Sequence, residues 1–482
     1  MTTAPLWGWD EIVGAAGGAA DGGVPKCGIS GLSLDSRGLD AGEVFVALKD
    51  QRDGHEFVTG AFERGASAAL VRRDYARKPG DGPLIRVPET LEGLCGIARA
   101  ARARLSDDAG VVAVTGSVGK TSTKEMLRAC LTRLGPTHAP EKSFNNHWGV
   151  PLTLARMPAD TMFGVIEIGM NHAGEIIPLS KLSRPHVAII TTVEPVHIEH
   201  FASIEGIADA KAEIIAGIEP GGVVVLNRDN ALFERLAAAA RAAGVDIVSF
   251  GEHREANVRL VKCDLKTDRS FVEAECGNGR IVYSIAAPGR HMAQNSAAVI
   301  AAIEALGQDF ESTIHAIGAL ATFGAPTGRG AREKLRHGSG SILLVDESYN
   351  ANPASMRAAL AALALVPRSE YPRRIAVLGD MLELGAASRE LHAGLFDAVA
   401  EAGIDLVFAA GPNMKALFDG IEPMRRGCWA ESSAGLKEAL CGAVVAGDAV
   451  MVKGSFGSRM GPLVEALRAE ATEAAKSGTA KT

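Results

Sequence analysis

Cysteine is scarce and unpatterned in this chain. Seven residues, at 27, 95, 130, 263, 276, 428 and 441, are scattered through 482 positions with no C-x-x-C spacing. An odd number of dispersed thiols excludes a disulfide framework and a zinc site of ordinary ligand spacing, and it predicts a reducing, cytoplasmic compartment. Long apolar runs are lacking as well. No stretch approaches the ~20 apolar residues of a membrane span, and MTTAPLWGWDE at the N-terminus has neither a charged n-region nor an apolar h-region. Positive charge is not in excess: 50 Lys and Arg against 57 Asp and Glu give a net charge of −7. That balance predicts no general affinity for nucleic acid or anionic membranes. No internal repeat of solenoid period is visible. The remaining composition, 47% hydrophobic and 22% charged, is that of a globular chain. Its length suggests about three domains.

The most informative stretch is VVAVTGSVGKTSTKEML, residues 111–127. An apolar, β-branched run breaks at Gly116, and a helical pattern begins at Lys120. Strand, glycine turn, Lys-Thr and helix form a polyphosphate cradle, because turn amides and the positive end of the helix point into one small space. Lys120 supplies a mobile cation and Thr121 a hydroxyl for Mg²⁺. The common form G-x-x-x-x-G-K-[ST] requires Gly at position 114, where Val114 stands. The loop is the shorter Gly116-Ser117-Val118-Gly119-Lys120-Thr121.

Around this loop the chain divides into a mixed α/β segment (1–108), a β-α alternating segment (109–325) and a second alternating segment (326–470). A tail follows from 471 to 482, and its composition predicts disorder. In the middle segment VVAVTG, FGVIEIG, HVAIITTV and GVVVLN read as strands of a parallel sheet covered on both faces. VRLVKCDL, SFVEAEC and RIVYSIAA read as an added antiparallel sheet, with Gly277-Asn278-Gly279 as a hairpin turn. The last segment predicts a smaller, doubly wound sheet.

Several polar residues fall where ligands bind in open α/β sheets, beyond the carboxyl ends of strands. Glu167 interrupts an apolar run, where a carboxylate is costly unless paired or metal-bound, so it reads as a Mg²⁺ ligand or as a loop-capping carboxylate. His197 lies in EPVHIEHF and suits either a metal or phosphate role or an ordinary loop. Lys211 falls in the apolar stripe Ile204, Ile207, Ile214, Ile215, Ile218 of a helix. A lysine there snorkels, pairs with an anion or loses its charge, and a neutral amine is open to covalent modification. His291 and Asn295, spaced i, i+4, share a helix face that suits either base recognition or capping. Arg329, in a glycine-rich linker, suits an approach to a γ-phosphate on domain closure. Three strand ends in the last segment carry Asp346-Glu347-Ser348-Tyr349-Asn350, Gly379-Asp380 and Lys453-Gly454-Ser455, a second polar rim.

In this order, TGSVGKTSTK, KSFNNHWGVPLTL, VIEIGMNHAGEI, HIEHFASIEGIADAKAEI, GRHMAQN, DESYNANPASM and GDMLELG resemble the ATP-dependent Mur ligases of peptidoglycan synthesis. They are most similar to the branch that appends D-Ala-D-Ala to UDP-MurNAc-tripeptide. The resemblance covers all but the tail and implies three α/β domains binding UDP-substrate, ATP and dipeptide in turn. It assigns Gly116 to Thr121, with Ser122, to the phosphates and a first Mg²⁺, with Glu167 shared between two ions and His197 on the second. Lys211 would be a carbamylated lysine facing metal. Asn295, Asp346 and Tyr349 would surround adenine and ribose, and Arg329 the γ-phosphate. Ser36, Arg37, Asp53 and His55 would contact the UDP end of the substrate, and Asn145 and Asn146 its sugar-peptide. A monomer acting through an acyl phosphate is expected. The alternatives are the sister branch adding the third peptide residue and a folylpolyglutamate synthase-type ligase; the DNPR motif of the former is absent. KGSFGSRM carries a spacer, and RHMAQN has Met-Ala-Gln between its anchors, both departures from the family pattern.

Overall fold

β-Branched and apolar runs punctuated by glycine turns build three sheets in a mixed α/β chain. The structure is a computed structural model that describes residues 5–26, 28–140, 143–195, 199, 201, 203–277 and 279–479, with side chains to Ala471. The first sheet holds β1 (Ala19–Asp21), β2 (Gly31–Ser33), β3 (Glu43–Val46), β4 (Ala68–Arg72) and β5 (Leu84–Val87) in the order β1-β5-β4-β3-β2. Only β1 runs antiparallel.

The second sheet holds β6 (Gly110–Thr115), β7 (Thr137–His138), β8 (Phe163–Glu167), β9 (Val187–Ile190), β10 (Val223–Asn227), β11 (Asp246–Gly251), β12 (Val258–Leu265), β13 (Ser270–Cys276) and β14 (Gly279–Ile285). Its order is β14-β13-β12-β11-β10-β9-β6-β8-β7. Along β6, Val112 and Val114 enter one core layer while Val111 and Ala113 enter the other. Burial on both faces explains the unbroken apolar run. From β6 the chain passes first to β7 and β8 on one side and then to β9 on the other, so a topological switch point opens beyond its carboxyl end.

The added antiparallel strands expected from the sequence are joined to the parallel sheet as its continuation. β12 pairs parallel with β11 through Phe250↔Val258 and Gly251↔Arg259, and β13 and β14 extend the same ladder. The open N–H and C=O groups at the β11 edge are satisfied by continuing the sheet. Asn278, in the expected hairpin turn, lies outside the described residues.

The third sheet holds β15 (Ala331–His337), β16 (Gly340–Glu347), β17 (Arg373–Gly379), β18 (Leu406–Ala410), β19 (Arg426–Ala430) and β20 (Asp448–Lys453), ordered β15-β16-β20-β17-β18-β19 with only β15 antiparallel. The final helix, Gly461–Thr479, runs past residue 471, where the sequence reading places a disordered tail. Ala and Glu in EATEAAK are strong helix formers, and they carry the helix onward.

The two joints between sheets differ in chemistry. The first is apolar: Trp7, Leu94, Ile97 and Ala101 share one cluster with Leu152 and Ala155 of the second unit. Trp7 Nε1 donates to the Ala155 carbonyl at 2.9 Å, and the Arg104 guanidinium lies 3.7 Å over the Trp7 ring. The second joint is polar. Thr267 Oγ1 donates to the Leu365 carbonyl at 3.2 Å, Arg332 donates to the Thr267 carbonyl, and Arg329 reaches Ser143.

Trp7→Ala is expected to cost about 3–5 kcal/mol by emptying this joint. Trp7→Phe, which loses chiefly the hydrogen bond, should cost about 1 kcal/mol. Urea titration checks both, and coincident midpoints for the two variants would show that the ring does not anchor the joint.

Candidate functional site

The strand β6 runs into a loop whose shape depends on two glycines. Gly116 has φ 148°, and a Cβ there would stand 1.9 Å from Thr191 Oγ1. Gly119 has φ 88°, and its Cβ would stand 2.7 Å from Asn295 Oδ1. Only glycine combines this backbone with so close an approach. The loop is pinned to the segment after β9. Ser117 N donates to the Thr192 carbonyl at 2.8 Å, and Thr191 Oγ1 donates to the Val118 carbonyl at 2.5 Å. Ser117 Oγ accepts from Glu194 N at 2.9 Å and donates to the Glu194 carbonyl at 3.0 Å. The helix Lys120–Leu131 that follows has no side-chain cap, which leaves its first amides for an anion.

The buried carboxylate of Glu167, 1% exposed, ends β8 beside this helix. It accepts from Thr121 Oγ1 at 2.9 Å and from Asn145 Nδ2 at 2.8 Å. Ser143 Oγ lies 3.3 Å from Thr121 Oγ1 and accepts from Arg329 Nη2 at 3.4 Å, so the linker arginine reaches the same cluster. Lys120 Nζ donates to the Gly116 carbonyl at 2.6 Å. Burial pushes the Lys120 pKa down, Glu167 opposes that shift, and Arg329 adds to it. One carboxylate with two hydroxyls is a hard-oxygen donor set that suits Mg²⁺, an ion that takes few protein ligands alongside phosphate oxygens.

Lys211 sits in the helix Ile204–Ala212 and is 2% exposed. Burial holds its pKa well below the usual lysine value, and the charge of Lys120 lowers it further. The stripe read from the sequence therefore is the buried face: Ile207, Ile214 and Ile215 are buried with Lys211. His197 lies outside the described residues.

A cleft of about 460 Å³ joins the second and third sheets above the loop. Ser117 to Ser122, Asn145, Glu167, Asn295, Arg329 and Tyr349 all line it, as does His291. The Arg329 guanidinium stacks 4.2 Å from the Tyr349 ring. From the third sheet, Lys453, 2% exposed, donates to Glu347 Oε2 at 3.1 Å and to the Asn350 carbonyl at 3.0 Å. Across from them, burial lowers the His291 pKa and Glu347 opposes that shift.

Other expected site residues have partners elsewhere. Asp346 does not line the cleft: it accepts from Gly328 N at 3.2 Å and from Ser348 Oγ at 2.7 Å, shaping the linker. Asn146 Oδ1 accepts from Gly149 N at 2.9 Å at the start of the helix Gly149–Ala155. In the first unit Arg37 pairs with Asp35 on the surface, beside half-buried Ser36. His55 is held by Asp53 at 2.6 Å and accepts at Nε2 from Arg72 N at 3.0 Å, so its ring is fixed between two partners. Ser143, Thr191, Thr192, Asn227 and Gln294 line the cleft without having stood out in the sequence, and Glu194, which the sequence offered only as part of EPVHIEHF, lines it too. Their signal was only position, just after strands or on the His291–Asn295 helix face.

A phosphate loop at a switch point, a buried carboxylate beside it and a polar joint that carries an arginine define a nucleotide-binding α/β protein whose site lies between two sheets. The chain matches the family models "Mur ligase middle domain" over residues 114–303 and "Mur ligase, glutamate ligase domain" over residues 331–456. It is 35% identical over 393 residues to the UDP-N-acetylmuramoyl-tripeptide–D-alanyl-D-alanine ligase of Escherichia coli, covering 81% of this chain and 83% of that protein. To the enzyme of the same name from Rickettsia prowazekii it is 32% identical, covering 80% and 84%. Among solved structures, MurF from Acinetobacter baumannii superposes with a TM-score of 0.82 at 29% identity, over 96% of this chain and 100% of that one. MurF from Thermotoga maritima in complex with ADP gives 0.75 at 25% identity, over 92% and 98%. The chain belongs to the UDP-N-acetylmuramoyl-tripeptide–D-alanyl-D-alanine ligase (MurF) family.

Two outcomes follow from this geometry. Gly116→Ala should weaken ATP binding by at least about tenfold, since strained backbone and a displaced Thr191 reshape the cradle. Calorimetric titration with a non-hydrolysable ATP analogue measures it. Lys211→Met should raise the thermal midpoint at pH 7. With a depressed folded pKa, Lys211 is protonated only in the unfolded chain between that pKa and 10.5, so the penalty it imposes falls as pH rises through this window. The gain from methionine should therefore shrink toward pH 10.5. Scanning calorimetry in metal-free, CO₂-depleted buffer would reveal a gain independent of pH if burial of the charge is not its cause.

Proposed function

We infer that this chain joins D-alanyl-D-alanine to UDP-N-acetylmuramoyl-tripeptide at the expense of ATP, releasing ADP and phosphate. Family membership supports the reaction, and the observation that carries it to particular residues is the cluster of Lys120, Thr121, Glu167 and Arg329 at one end of the cleft. The terminal carboxylate of the tripeptide attacks the γ-phosphorus of ATP, and the bond to ADP breaks to give an acyl phosphate. The dipeptide amine then attacks the acyl carbon. The tetrahedral intermediate expels phosphate as the amine loses its proton.

Lys120 and Arg329 neutralise charge that gathers on the transferring group, which is most of what phosphoryl transfer requires. Arg329 belongs to the linker, so its arrival is tied to the position of the third domain. Thr121 and Glu167 would hold Mg²⁺, with His197 on a second ion; the metal supplies further charge neutralisation at the phosphates. Asn145 commits its amide to Glu167, so we assign it to orienting that carboxylate. Lys211 presents the neutral amine that adds CO₂, and its carbamate would convert a buried would-be cation into an anion beside the metals. Residues 1–108, with Ser36, Arg37, Asp53, His55 and Asn146, would receive the UDP-sugar-peptide. Residues 109–325 would bind ATP through the loop, Asn295 and Tyr349, with Asp346 shaping the linker. Residues 326–470 would deliver the dipeptide. The protein would act in the cytoplasm as a monomer.

Phosphate release measured with UDP-MurNAc-tripeptide, with and without D-Ala-D-Ala, tests this reading. Turnover should require both, and turnover indifferent to the dipeptide would overturn the assignment. Lys211→Ala should lower kcat by about 10- to 100-fold, the loss expected when a group ordering a metal site is removed. A rate near wild type would return Lys211 to a packing role.

A further inference from the structure

Glu194 is an acidic side chain in a cleft read here as a site for polyphosphate. It lines the cavity beside the phosphate loop and is half-buried. Burial raises its pKa, and among the described residues the hydrogen bond from Thr192 opposes that shift. That contact is long: Thr192 Oγ1 donates to Glu194 Oε1 at 3.4 Å. Among the described residues no lysine or arginine pairs with it. A carboxylate this poorly satisfied in a partly dehydrated pocket is costly unless a ligand completes its hydrogen bonds.

Its backbone, by contrast, is held on every side. The Glu194 N–H and C=O both bond Ser117 Oγ, at 2.9 and 3.0 Å, which ties the residue in register with the loop. Asn230 Nδ2 donates to Thr192 Oγ1 and to the Val193 carbonyl, each at 3.0 Å, fixing the two preceding residues. The carboxylate is thus placed at a set offset from the position of the phosphates.

We propose that Glu194 is a nucleoside-reading residue, whose carboxylate accepts hydrogen bonds from donor groups on the non-phosphate half of the bound nucleotide. Like charge excludes phosphate oxygens as its partner. The neutral donors of ATP are the ribose hydroxyls and the exocyclic amine of the base, and both offer the O–H or N–H that an ionised carboxylate binds well. Asn227 and Gln294, neutral amides, and His291, an imidazole, line the same cleft, to which Lys120 and Arg329 bring cationic side chains. This inference rests on the reading of the cleft as the ATP site.

Steady-state kinetics of the full chain with ATP, 2′-deoxy-ATP, 3′-deoxy-ATP and inosine triphosphate test it. The wild type should discriminate against at least one analogue by roughly tenfold in kcat/KM, the loss of one hydrogen bond to a charged acceptor. Glu194→Gln and Glu194→Ala should raise the KM for ATP by more than they lower kcat and should leave the KM for D-Ala-D-Ala in place. They should also erase that discrimination, and the analogue on which it vanishes names the donor, ribose hydroxyl or base amine. If the wild type uses all four nucleotides alike, or the variants discriminate as the wild type does, the inference is overturned. A changed Mg²⁺ requirement with intact discrimination would also overturn it. Absence of any ATP-dependent turnover in the wild type would instead bring down the reading of the cleft, and this inference with it.

Discussion

One buried carboxylate organises the cleft. Glu167 sits at the end of a strand covered on both faces, in a position where an unpartnered charge would cost several kcal/mol. Its two oxygens are occupied by Thr121 Oγ1 and Asn145 Nδ2. Those two bonds draw the start of the Lys120–Leu131 helix and the Ser143–Asn145 segment onto one strand end. Lys124, fully buried on that helix, adds a third tie by donating to the Pro140 carbonyl at 2.7 Å. Both donors to the carboxylate are neutral, so its negative charge is not cancelled by the protein that holds it. Its charge acts on Lys120, and Arg329 reaches the same cluster through Ser143.

The chemistry of the two joints follows from where motion is useful. Trp7, Leu152 and their neighbours weld the first unit to the second through apolar burial and a stacked arginine. The second joint consists of a few polar contacts, and the core layers of the third sheet draw only on residues from 335 onward. Polar interfaces of this kind open at small cost, because water replaces the bonds that are lost. Arg329 stands where such opening has the greatest effect, bonded to Ser143 on one side and stacked on Tyr349 on the other. Separation of the third unit would remove a cation from the phosphate end, so the site is complete only when the joint is closed.

What was legible in the sequence is what depends on local period. The glycine loop and the Lys211 stripe are short-range patterns, and Glu167 announced itself as a charge in an apolar run. The structure brings all three to adjoining elements. The partners that hold them could not be read, because they come from loops distant in the chain: Thr191 against Gly116, Asn145 against Glu167, Ser143 against Arg329. Each lies more than 20 residues from its partner, and sequence position says nothing of which polar group will face which. Asp346, expected as a ligand residue at a strand end, accepts from the Gly328 amide and from Ser348 Oγ, local partners that the sequence did not announce. The continuous ladder from β11 to β14 was hidden for a similar reason, since a change of strand style along the chain does not reveal whether a sheet has ended.

The two lysines of the site illustrate how one carboxylate can assign different chemistry to identical side chains. Both amines are buried and both lose proton affinity by leaving water. Lys120 has Glu167 near enough to offset part of that loss, beside the place where phosphate oxygens would arrive. Lys211 has no such compensation; the charge that acts on it is Lys120's own, of the same sign. Glu167 thus favours the charged form of Lys120, while burial and the Lys120 charge both favour the neutral form of Lys211. Neutrality is the condition for nucleophilic addition to CO₂, so the reactivity proposed for Lys211 and the electrostatic role of Lys120 have a single origin. The same logic makes Lys211 a liability to folding, carried in a helix whose other inward residues are apolar, and explains why a fold would keep it there only for what its amine can do.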